Sequence, residues 1–377
     1  MSRRGKGEGG VYRRAADGRW VAVLDLGWID GKRRRRVVYG TTRAEVVDKL
    51  RKLSEQRRRG VNLAAPAQTV GAWLDEWLSQ VKAHDGTRPS TFARYRQVCN
   101  THLKPGLGRK RLDRLTPLDV REFLASRRGV VAPGTVAKIH AVLRAALGDA
   151  ERMDLVARNV AKSVRAPSVP TGERRILTPD EARRFLATVA GDRFEGVFVL
   201  ALALGLRRGE VLGLRWVDFD AELATLRVEQ AIQRAGGQLV VVEPKTPRSR
   251  RLLPVPRLAA AALERQRVRQ ARERLKAGAE WHDLGLIFTT SIGTPIEPRN
   301  LNRQFGELRQ KAGLETLRLH DLRHACATFL LASGVEPRTV MEILGHSTYR
   351  LTMDLYGHAL PERMAAAAVA MDRTLGG

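Results

Sequence analysis

His-Asp-Leu-Arg-His occupies positions 320–324, Leu-Gly-His follows at 344–346, and Thr-Met-Asp-Leu-Tyr lies at 352–356. This short stretch concentrates imidazole groups, a guanidinium group and a phenol. Guanidinium and imidazole groups bind phosphate oxygens, and a phenol can act as a nucleophile. The stretch therefore predicts chemistry on a phosphodiester.

Two motifs further upstream add cations in sequence contexts that are typical of structured segments. Gly-Leu-Arg-Arg-Gly-Glu occupies 205–210, and Pro-Lys-Thr occupies 244–246. Together with the later stretch, they extend the predicted phosphodiester chemistry to residues more than a hundred positions apart.

The overall charge favours the same type of partner. The chain of 377 residues has a formal net charge of +27, and its excess is mostly arginine, whose planar fork matches phosphate. Such an imbalance indicates nucleic acid or anionic lipid as the partner. The longest apolar run, 197–206, has about half the ~20 residues that a membrane span needs, and residues 1–10 lack a signal-peptide core. We therefore expect a cytoplasmic protein with no membrane partner.

The cysteine content argues against two kinds of cross-link. Cys99 and Cys326 are the two cysteines, and they are far apart in the sequence. A disulfide framework or a cysteine-based zinc site is therefore not expected. The length predicts two or three domains, each able to bury a core.

The first predicted domain, residues 1–62, is a small basic sheet followed by a helix over 42–59 capped by Thr41 or Thr42. Asp-Gly turn dipeptides flank an alternating segment and indicate a three-stranded meander. Residues 1–60 contain 18 Lys and Arg against 7 Asp and Glu, a net charge of +11. The basic run 32–36 predicts either a DNA-binding surface or a solvated face. The alternation predicts one shared face for Trp20, Ala22, Leu24, Leu26 and Trp28.

The second predicted domain, residues 66–165, is a helical bundle. Hydrophobic residues recur there at helical spacing, and proline-containing breaks divide the region into about four helices. A set of basic residues predicts a side that faces phosphates, although part of the set is expected to be ordinary surface. The set is Arg88, Arg94, Arg96, Lys104, Arg109, Lys110 and Arg111.

The third predicted domain, residues 172–377, follows a proline-rich linker at 162–175. Thr178 with the next three residues has the features of a helix start. An apolar helix at 194–204, strands near 223–228, 239–242 and 250–255, and further helices predict a mixed α+β domain. The fold class is therefore multidomain, mainly α with small β-sheets.

In their order along the chain, these motifs resemble the catalytic set of tyrosine recombinases of the phage integrase type. The resemblance covers the third domain in full and shows no departure at any motif. The second domain is similar to the family's core-binding (SAM-like) domain, and the first resembles its arm-type DNA-binding domain. The residues that carry the resemblance are Arg207 with Glu210, Lys245, His320, Arg323, His346 and Tyr356.

The resemblance implies a metal-independent enzyme without a cofactor that cuts and rejoins DNA through a 3′-phosphotyrosine link. The two arginines would stabilise charge on the phosphate oxygens in the transition state. Lys245 would protonate the leaving 5′ oxygen, and Tyr356 would be the nucleophile. His320 and His346 would either donate hydrogen bonds to the phosphate or help to move the proton of the phenol.

Several neighbouring residues have structural interpretations. Arg208 is expected to be a surface or ion-pair residue, and Glu210 is expected to hold a neighbouring cation or a hydrogen bond rather than to act chemically. Tyr349 competes for the role of nucleophile, but its place directly after Leu-Gly-His-Ser-Thr favours helix packing. His324 and His358 are expected to be structural or to support the site.

Two other functions explain part of the same sequence. His320 and His324 are spaced as in zinc proteases, so a zinc-dependent hydrolase is one alternative. The shorter acid Asp321, the intervening Arg323 and the lack of an evident third ligand count against it. A non-catalytic DNA-binding regulator would explain the charge but would leave the motif around Tyr356 unexplained.

The resemblance also implies the partners. They are double-stranded DNA with core and arm-type attachment sites, and three further copies of the chain in a homotetramer on two duplexes. An accessory DNA-bending or directionality factor would be an additional partner. The expected outcome is integration or excision of a mobile element such as a phage. The alanine-rich segment 364–371 would dock on a neighbouring protomer or form an ordinary packing helix.

Overall fold

The computed structural model describes residues 10–29, 32–58, 68–166, 176–243 and 250–345. The chain divides into two compact units, residues 1–171 and residues 172–377. The strands are β1 (Gly10–Arg13), β2 (Trp20–Ile29), β3 (Lys32–Gly40), β4 (Phe219–Asp220), β5 (Thr225–Val228), β6 (Ala231–Ala235), β7 (Gln238–Val242) and β8 (Arg251–Pro254).

The α-helices begin and end as follows. They are α1 (Arg43–Arg58), α2 (Val70–Glu76), α3 (Pro89–Val98), α4 (Lys104–Leu107), α5 (Pro117–Arg127), α6 (Pro133–Arg152), α7 (Pro179–Val189), α8 (Glu195–Ala203), α9 (Arg208–Leu212), α10 (Arg257–Ala277), α11 (Pro298–Lys311), α12 (Asp321–Ala332) and α13 (Pro337–Leu344). The prediction of a mainly helical chain with small sheets is confirmed.

The first unit begins with the predicted three-stranded sheet. β1, β2 and β3 pair antiparallel in chain order, and α1 packs against the sheet where Ala22, Leu24 and Val46 are buried. Thr42 Oγ1 accepts a hydrogen bond from the amide of Glu45 at 3.2 Å. This contact satisfies one of the free amides at the start of α1, as the predicted cap requires.

The prediction that five residues of β2 share one face is wrong beyond Leu24. The pairing of β2 with β3 shifts between Asp25 and Gly27, and Gly27 has a left-handed φ of +88°. A β-bulge of this kind adds one residue and reverses the later side chains. Trp28 therefore points to the opposite face, and it is 75% exposed.

The rest of the first unit is the predicted helical bundle, whose core centres on α2 and α6. α2 continues as a wider helical turn to Lys82, and α3 continues in the same way into α4. Trp73 and Trp77 are completely buried in this core. Trp77 Nε1 donates to Asp149 Oδ2 at 2.6 Å, and Lys82 Nζ lies 3.1 Å from the same oxygen. The buried carboxylate is thus paired rather than left as an uncompensated charge.

The second unit is built around α8, in which every residue from Glu195 to Leu202 is buried. α8 packs against α7, α9, α10 and α12, and Phe198 makes ring contacts with Phe185 and Phe305 at centroid distances of 5.8 and 5.6 Å. Because α8 is packed on several sides, the position of its carboxyl end is fixed. The segment that follows α8 therefore starts from a fixed position.

The strands of the second unit form two separate sheets. β4, β5 and β8 form one antiparallel sheet, and β6 pairs with β7 in the other. Lys245 follows β7 and precedes β8, within residues 244–249, which lie outside the described residues. The predicted hairpin at Lys245 therefore remains a prediction, and the strands on its two sides, β7 and β8, belong to different sheets. The sequence pattern did not show this because β8 pairs with the distant β5.

The second unit ends, within the described residues, with α12 and α13. Cys326, Leu331, Val340 and Leu344 form a small buried cluster between these two helices. α13 also contacts β8, and its C-cap residue Gly345 is left-handed with a φ of +63°. Within the described ranges, no helix has both the length and the apolar character needed to cross a membrane.

Candidate active site

The turn after α8 presents Arg207 at the start of α9. Gly205 has a left-handed φ of +60°, and a Cβ atom there would lie 2.3 Å from Leu344 Cδ2. Glycine is therefore required both by the backbone conformation and by the space next to α13. The turn brings the Gly-Leu-Arg motif against the end of α13, far away in the sequence.

The Arg207 side chain is oriented by two contacts. Its Nη1 donates to Glu210 Oε1 at 2.6 Å, and its Nη2 donates to the Gly345 carbonyl at 3.1 Å. The side chain is 40% exposed, so the guanidinium group is held in place and still accessible. Glu210 holds a neighbouring cation, as predicted, whereas the adjacent Arg208 is exposed.

Arg323 lies deeper, on α12, with 2% of its surface exposed. Its Nη1 donates to the Gly205 carbonyl and its Nη2 to the Leu344 carbonyl, each at 2.6 Å. Burial, followed by the positive charge of Arg207, lowers the Arg323 pKa to about 9. The residue is still charged at neutral pH, and its repulsion with Arg207 would be relieved by an anion between them.

His320 immediately precedes α12 and contacts His324 edge to face, with 4.8 Å between ring centroids. Part of the His320 side chain is open to solvent, but loss of water from the rest of the ring lowers its pKa. The charges of His324, Arg323 and Arg207 lower it further, to about 4. His320 is thus a neutral imidazole at neutral pH, able to accept a proton or to donate one hydrogen bond.

The titration of His320 should report whether an anion occupies this site. In the DNA-free full-length protein we expect a pKa near the value of about 4, below the ordinary 6.5. The neutral form is favoured in the folded protein, so this group should make folding less favourable as pH falls from 6.5 towards 4. Core-site DNA should raise the pKa, because a phosphate offsets the two arginine charges. Histidine NMR titration, with His320→Gln to assign the resonance, measures both values, and an ordinary pKa without DNA would contradict this.

The remaining predicted site residues lie outside the described residues. These are Lys245, His346 and Tyr356, together with Tyr349 and His358. His346 nevertheless follows directly on Gly345, whose carbonyl accepts a hydrogen bond from Arg207. The structure therefore brings together Arg207, His320 and Arg323, and the roles of all six residues remain predictions.

One residue near this site was not singled out from the sequence. Arg251, the first residue of β8, has a buried side chain and donates from Nη2 to Glu210 Oε2 at 2.9 Å. A signal was available, since an arginine in a short apolar strand needs a buried partner, but the strand pattern does not name that partner.

Among the described residues, the site contains neither a reactive thiolate nor a group of metal ligands. Burial raises the pKa of the Cys326 thiol to about 12, so it is not a thiolate at neutral pH. Within the described part of the chain, no group of three or more His, Cys, Asp and Glu side chains is arranged to hold a metal ion.

Comparison with known proteins identifies the family. The profile of the Phage integrase family matches residues 175–363, and that of the Phage integrase, N-terminal SAM-like domain matches residues 69–126. The chain belongs to the phage integrase family. An integrase of Saccharopolyspora erythraea is 31% identical over 390 aligned positions, which cover 88% of this chain and 89% of the relative.

Other members of the family are similar over comparable lengths. A tyrosine recombinase XerC-like protein of Caldanaerobacter subterraneus subsp. tengcongensis is 28% identical and covers 90% of this chain and 91% of its own. The Tn1549 transposon integrase, solved with transposon right end DNA, has a TM-score of 0.69 at 22% identity and covers 82% of this chain and 100% of its own. This structural likeness shows a shared fold.

Family membership decides among the three functions that the sequence left open. This integrase-family chain is a tyrosine-type site-specific recombinase, an enzyme of mobile elements that breaks and rejoins DNA strands by transesterification. The comparisons support neither a non-catalytic regulator nor a zinc-dependent hydrolase.

Proposed function

We propose that this recombinase cuts DNA at a phosphate bound between Arg207 and Arg323, with Tyr356 as the nucleophile. The supporting observation is that the two guanidinium groups donate to the adjacent carbonyls of Gly345 and Leu344. Two cations that are 116 positions apart in the sequence thus converge at one place, directly before His346.

The proposed reaction is a transfer of the phosphoryl group without net hydrolysis. Tyr356 Oη would form a bond to phosphorus while the bond from phosphorus to the 5′ oxygen breaks. The phenol proton would pass to a neighbouring base, for which His346 and the neutral imidazole of His320 are the candidates. The negative charge that develops on the non-bridging oxygens would be stabilised by preorganised guanidinium groups.

Lys245 is proposed to donate the proton that the leaving 5′ oxygen needs. Lys245→Ala should then cleave an ordinary substrate poorly, but it should recover on DNA whose bridging 5′ oxygen is replaced by sulfur, a leaving group that needs no proton. Single-turnover rates on the two substrates measure this, with Arg207→Ala as the control that sulfur should not rescue. Equal rescue of both variants would show that Lys245 supplies charge and no dedicated proton.

We further propose that DNA is held by three regions, residues 1–62, 66–165 and 172–377. In the helical bundle, Lys104, Lys110 and Arg111 form ion pairs with Asp75, Asp119 and Asp113, so they are ordinary surface in large part. Arg94, Arg96 and Arg109 are exposed and are the better candidates for phosphate contacts at the core site.

In the first region, the open face of the sheet is the proposed surface for arm-type DNA. Arg33, Arg35 and Tyr39 alternate along β3, on the side away from the residues that α1 buries. Tyr39 is 48% exposed, so this face combines cations with accessible aromatic surface, as nucleic-acid interfaces do.

Deletion of residues 1–60 should separate arm binding from core cleavage. Integration between full-length sites should fail, while cleavage of a core substrate survives. A finer test is Arg35→Ala, which should flatten the slope of log affinity against log salt by about 0.9 for one lost phosphate contact. Arg51→Ala is the matched control, since Arg51 lies on α1 and its side chain is 80% exposed. Unchanged integration and footprints after the deletion would exclude an arm-binding role.

The protein is proposed to act in the cytoplasm. The assembly proposed for this chain is a tetramer on two DNA duplexes. The fold similarity to a lambda integrase tetramer bound to a Holliday junction supports it, with a TM-score of 0.57, 17% identity and coverage of 94% of this chain and 96% of that one.

The experiment that tests the function uses a nicked core duplex that loses the short strand after cleavage. Because rejoining is then blocked, the protein should accumulate as a covalent adduct with the DNA 3′ end, with EDTA present throughout. Absence of an adduct in a protein that binds the duplex would contradict the proposed function.

A further inference from the structure

Arg251 is an arginine whose side chain is withdrawn from solvent although it belongs to neither the predicted nor the proposed catalytic set. Its side chain is 6% exposed. Nε donates to the Ile343 carbonyl at 2.7 Å, and Nη2 donates to Glu210 Oε2 at 2.9 Å. One guanidinium group therefore bridges the start of β8, the acid on α9 and the end of α13.

Glu210 connects Arg251 with Arg207. One carboxylate oxygen accepts from Arg207 Nη1 at 2.6 Å, and the other accepts from the Arg207 amide at 3.0 Å as well as from Arg251. Burial acts to raise the Glu210 pKa, but the charges and hydrogen bonds of Arg251 and Arg207 outweigh it, and the pKa lies below the ordinary value. Glu210 is thus an anion shared between two cations.

The last carbonyls of α13 are bound by three arginines in sequence. The Ile343 carbonyl accepts from Arg251, the Leu344 carbonyl from Arg323 and the Gly345 carbonyl from Arg207. Cations are favourable at this end of a helix, where the carbonyl groups lack helical partners. The backbone that leads into His346 is therefore fixed by Arg251 together with the two arginines that would bind the phosphate.

Gly345 packs closely against the guanidinium group of Arg251. A Cβ atom on Gly345 would lie 3.1 Å from Arg251 Nη1, so a residue with a side chain would press on the guanidinium group. Gly345 also has the left-handed conformation that glycine adopts without strain. The Leu-Gly-His motif thus has a structural reason for its glycine in the packing of Arg251.

We propose that Arg251 is a positioning residue for strand cleavage, which acts through Glu210 on Arg207 and through Ile343 on the backbone before His346. The proposal rests on the proposed function, since it assigns a supporting residue to that same site. In the sequence, Arg251 begins the strand that follows the segment containing Lys245. It does not itself touch the DNA.

The charge and the fork of the guanidinium group are both required in this role. Lysine at position 251 would keep the charge, but a single ammonium group does not reproduce two directed N–H donors on one rigid plane. Without Arg251, Glu210 would be paired with Arg207 alone, and the Arg207 guanidinium group would be drawn towards it. A displacement of about 1 Å at a reacting site can cost on the order of a hundredfold in rate.

The test compares single-turnover cleavage of the nicked core duplex at saturating full-length protein. Arg251→Met should lower the cleavage rate by about tenfold to a hundredfold, with the affinity for core DNA close to that of the wild type. Arg251→Lys should recover only part of the loss. Arg250→Met is the matched control, because Arg250 is the preceding residue, is 49% exposed and pairs with Glu229 and Glu243. It should cleave at the wild-type rate.

A double-mutant cycle distinguishes positioning of Arg207 from a general structural role. If Arg251 acts through Arg207, Arg251→Met should have little further effect in an Arg207→Ala protein, whereas independent effects would multiply. Multiplying effects, or wild-type cleavage by Arg251→Met, would overturn the proposal. If Arg251→Met does not fold, as thermal melting would show, the same cycle is carried out with Arg251→Lys. An absent adduct in the wild type would instead refute the proposed function.

Discussion

Replacement of Tyr356 by phenylalanine should abolish the covalent protein–DNA adduct and leave binding to the core site nearly unchanged. The substitution removes the one oxygen that would bond to phosphorus and keeps the ring. No other group of the proposed site can form the same link, so the loss of cleavage should be complete rather than partial. Trapping on the nicked duplex measures the adduct, and gel-shift titration measures the binding.

Tyr349→Phe is the matched control for the nucleophile. The two tyrosines are seven positions apart, and the same change of chemistry is made at each. Tyr349→Phe should form the adduct at a rate close to that of the wild type. An adduct that persists in Tyr356→Phe and disappears in Tyr349→Phe would transfer the role of nucleophile to Tyr349.

Local sequence signals predicted much of the fold because the interactions behind them are local. Thr178 Oγ1 accepts from the Glu181 amide at 3.2 Å, and the Glu181 carboxylate accepts from the Thr178 amide at 3.0 Å. This reciprocal cap at the start of α7 involves residues only three positions apart. The Asp-Gly turn that precedes β2 and the helical spacing of the bundle are local in the same sense.

The features that local patterns did not reveal depend on pairing between distant residues. The bulge at Gly27 is defined by the register of β2 against β3, and alternation along a single strand does not reveal it. The separation of β7 and β8 into different sheets follows from the pairing of β8 with β5. A pattern along the chain shows that strands exist, but it does not determine which strands are neighbours.

The candidate site was predictable in its residue types and less so in its supporting contacts. The motifs indicated Arg207, His320 and Arg323 because phosphate chemistry needs such groups. The orientation of the two arginines depends on carbonyl groups at the end of α13 and on a buried carboxylate. Backbone carbonyls have no sequence signature, and for the same reason Arg251 was overlooked.

Arg207→Ala should lower the rate of cleavage by about a hundredfold to a thousandfold, the usual cost of losing one preorganised donor to a charged transition state. Arg323→Ala should have an effect at least as large. It also leaves the buried carbonyls of Gly205 and Leu344 without their donor, so it should lower the melting temperature as well. The Arg207 side chain is 40% exposed. Arg207→Ala should therefore lower the melting temperature less than Arg323→Ala does.

Arg208→Ala provides the matched control, since Arg208 is the next residue and is exposed beside the site. At saturating protein its cleavage rate should be close to that of the wild type, because its charge is not among those directed at the Leu344 and Gly345 carbonyls. An equal loss in Arg208→Ala and Arg207→Ala would mean that general positive charge, and not a directed clamp, drives the reaction. Inhibition of the wild type by EDTA, reversed by zinc, would instead favour a metal site at His320 and His324.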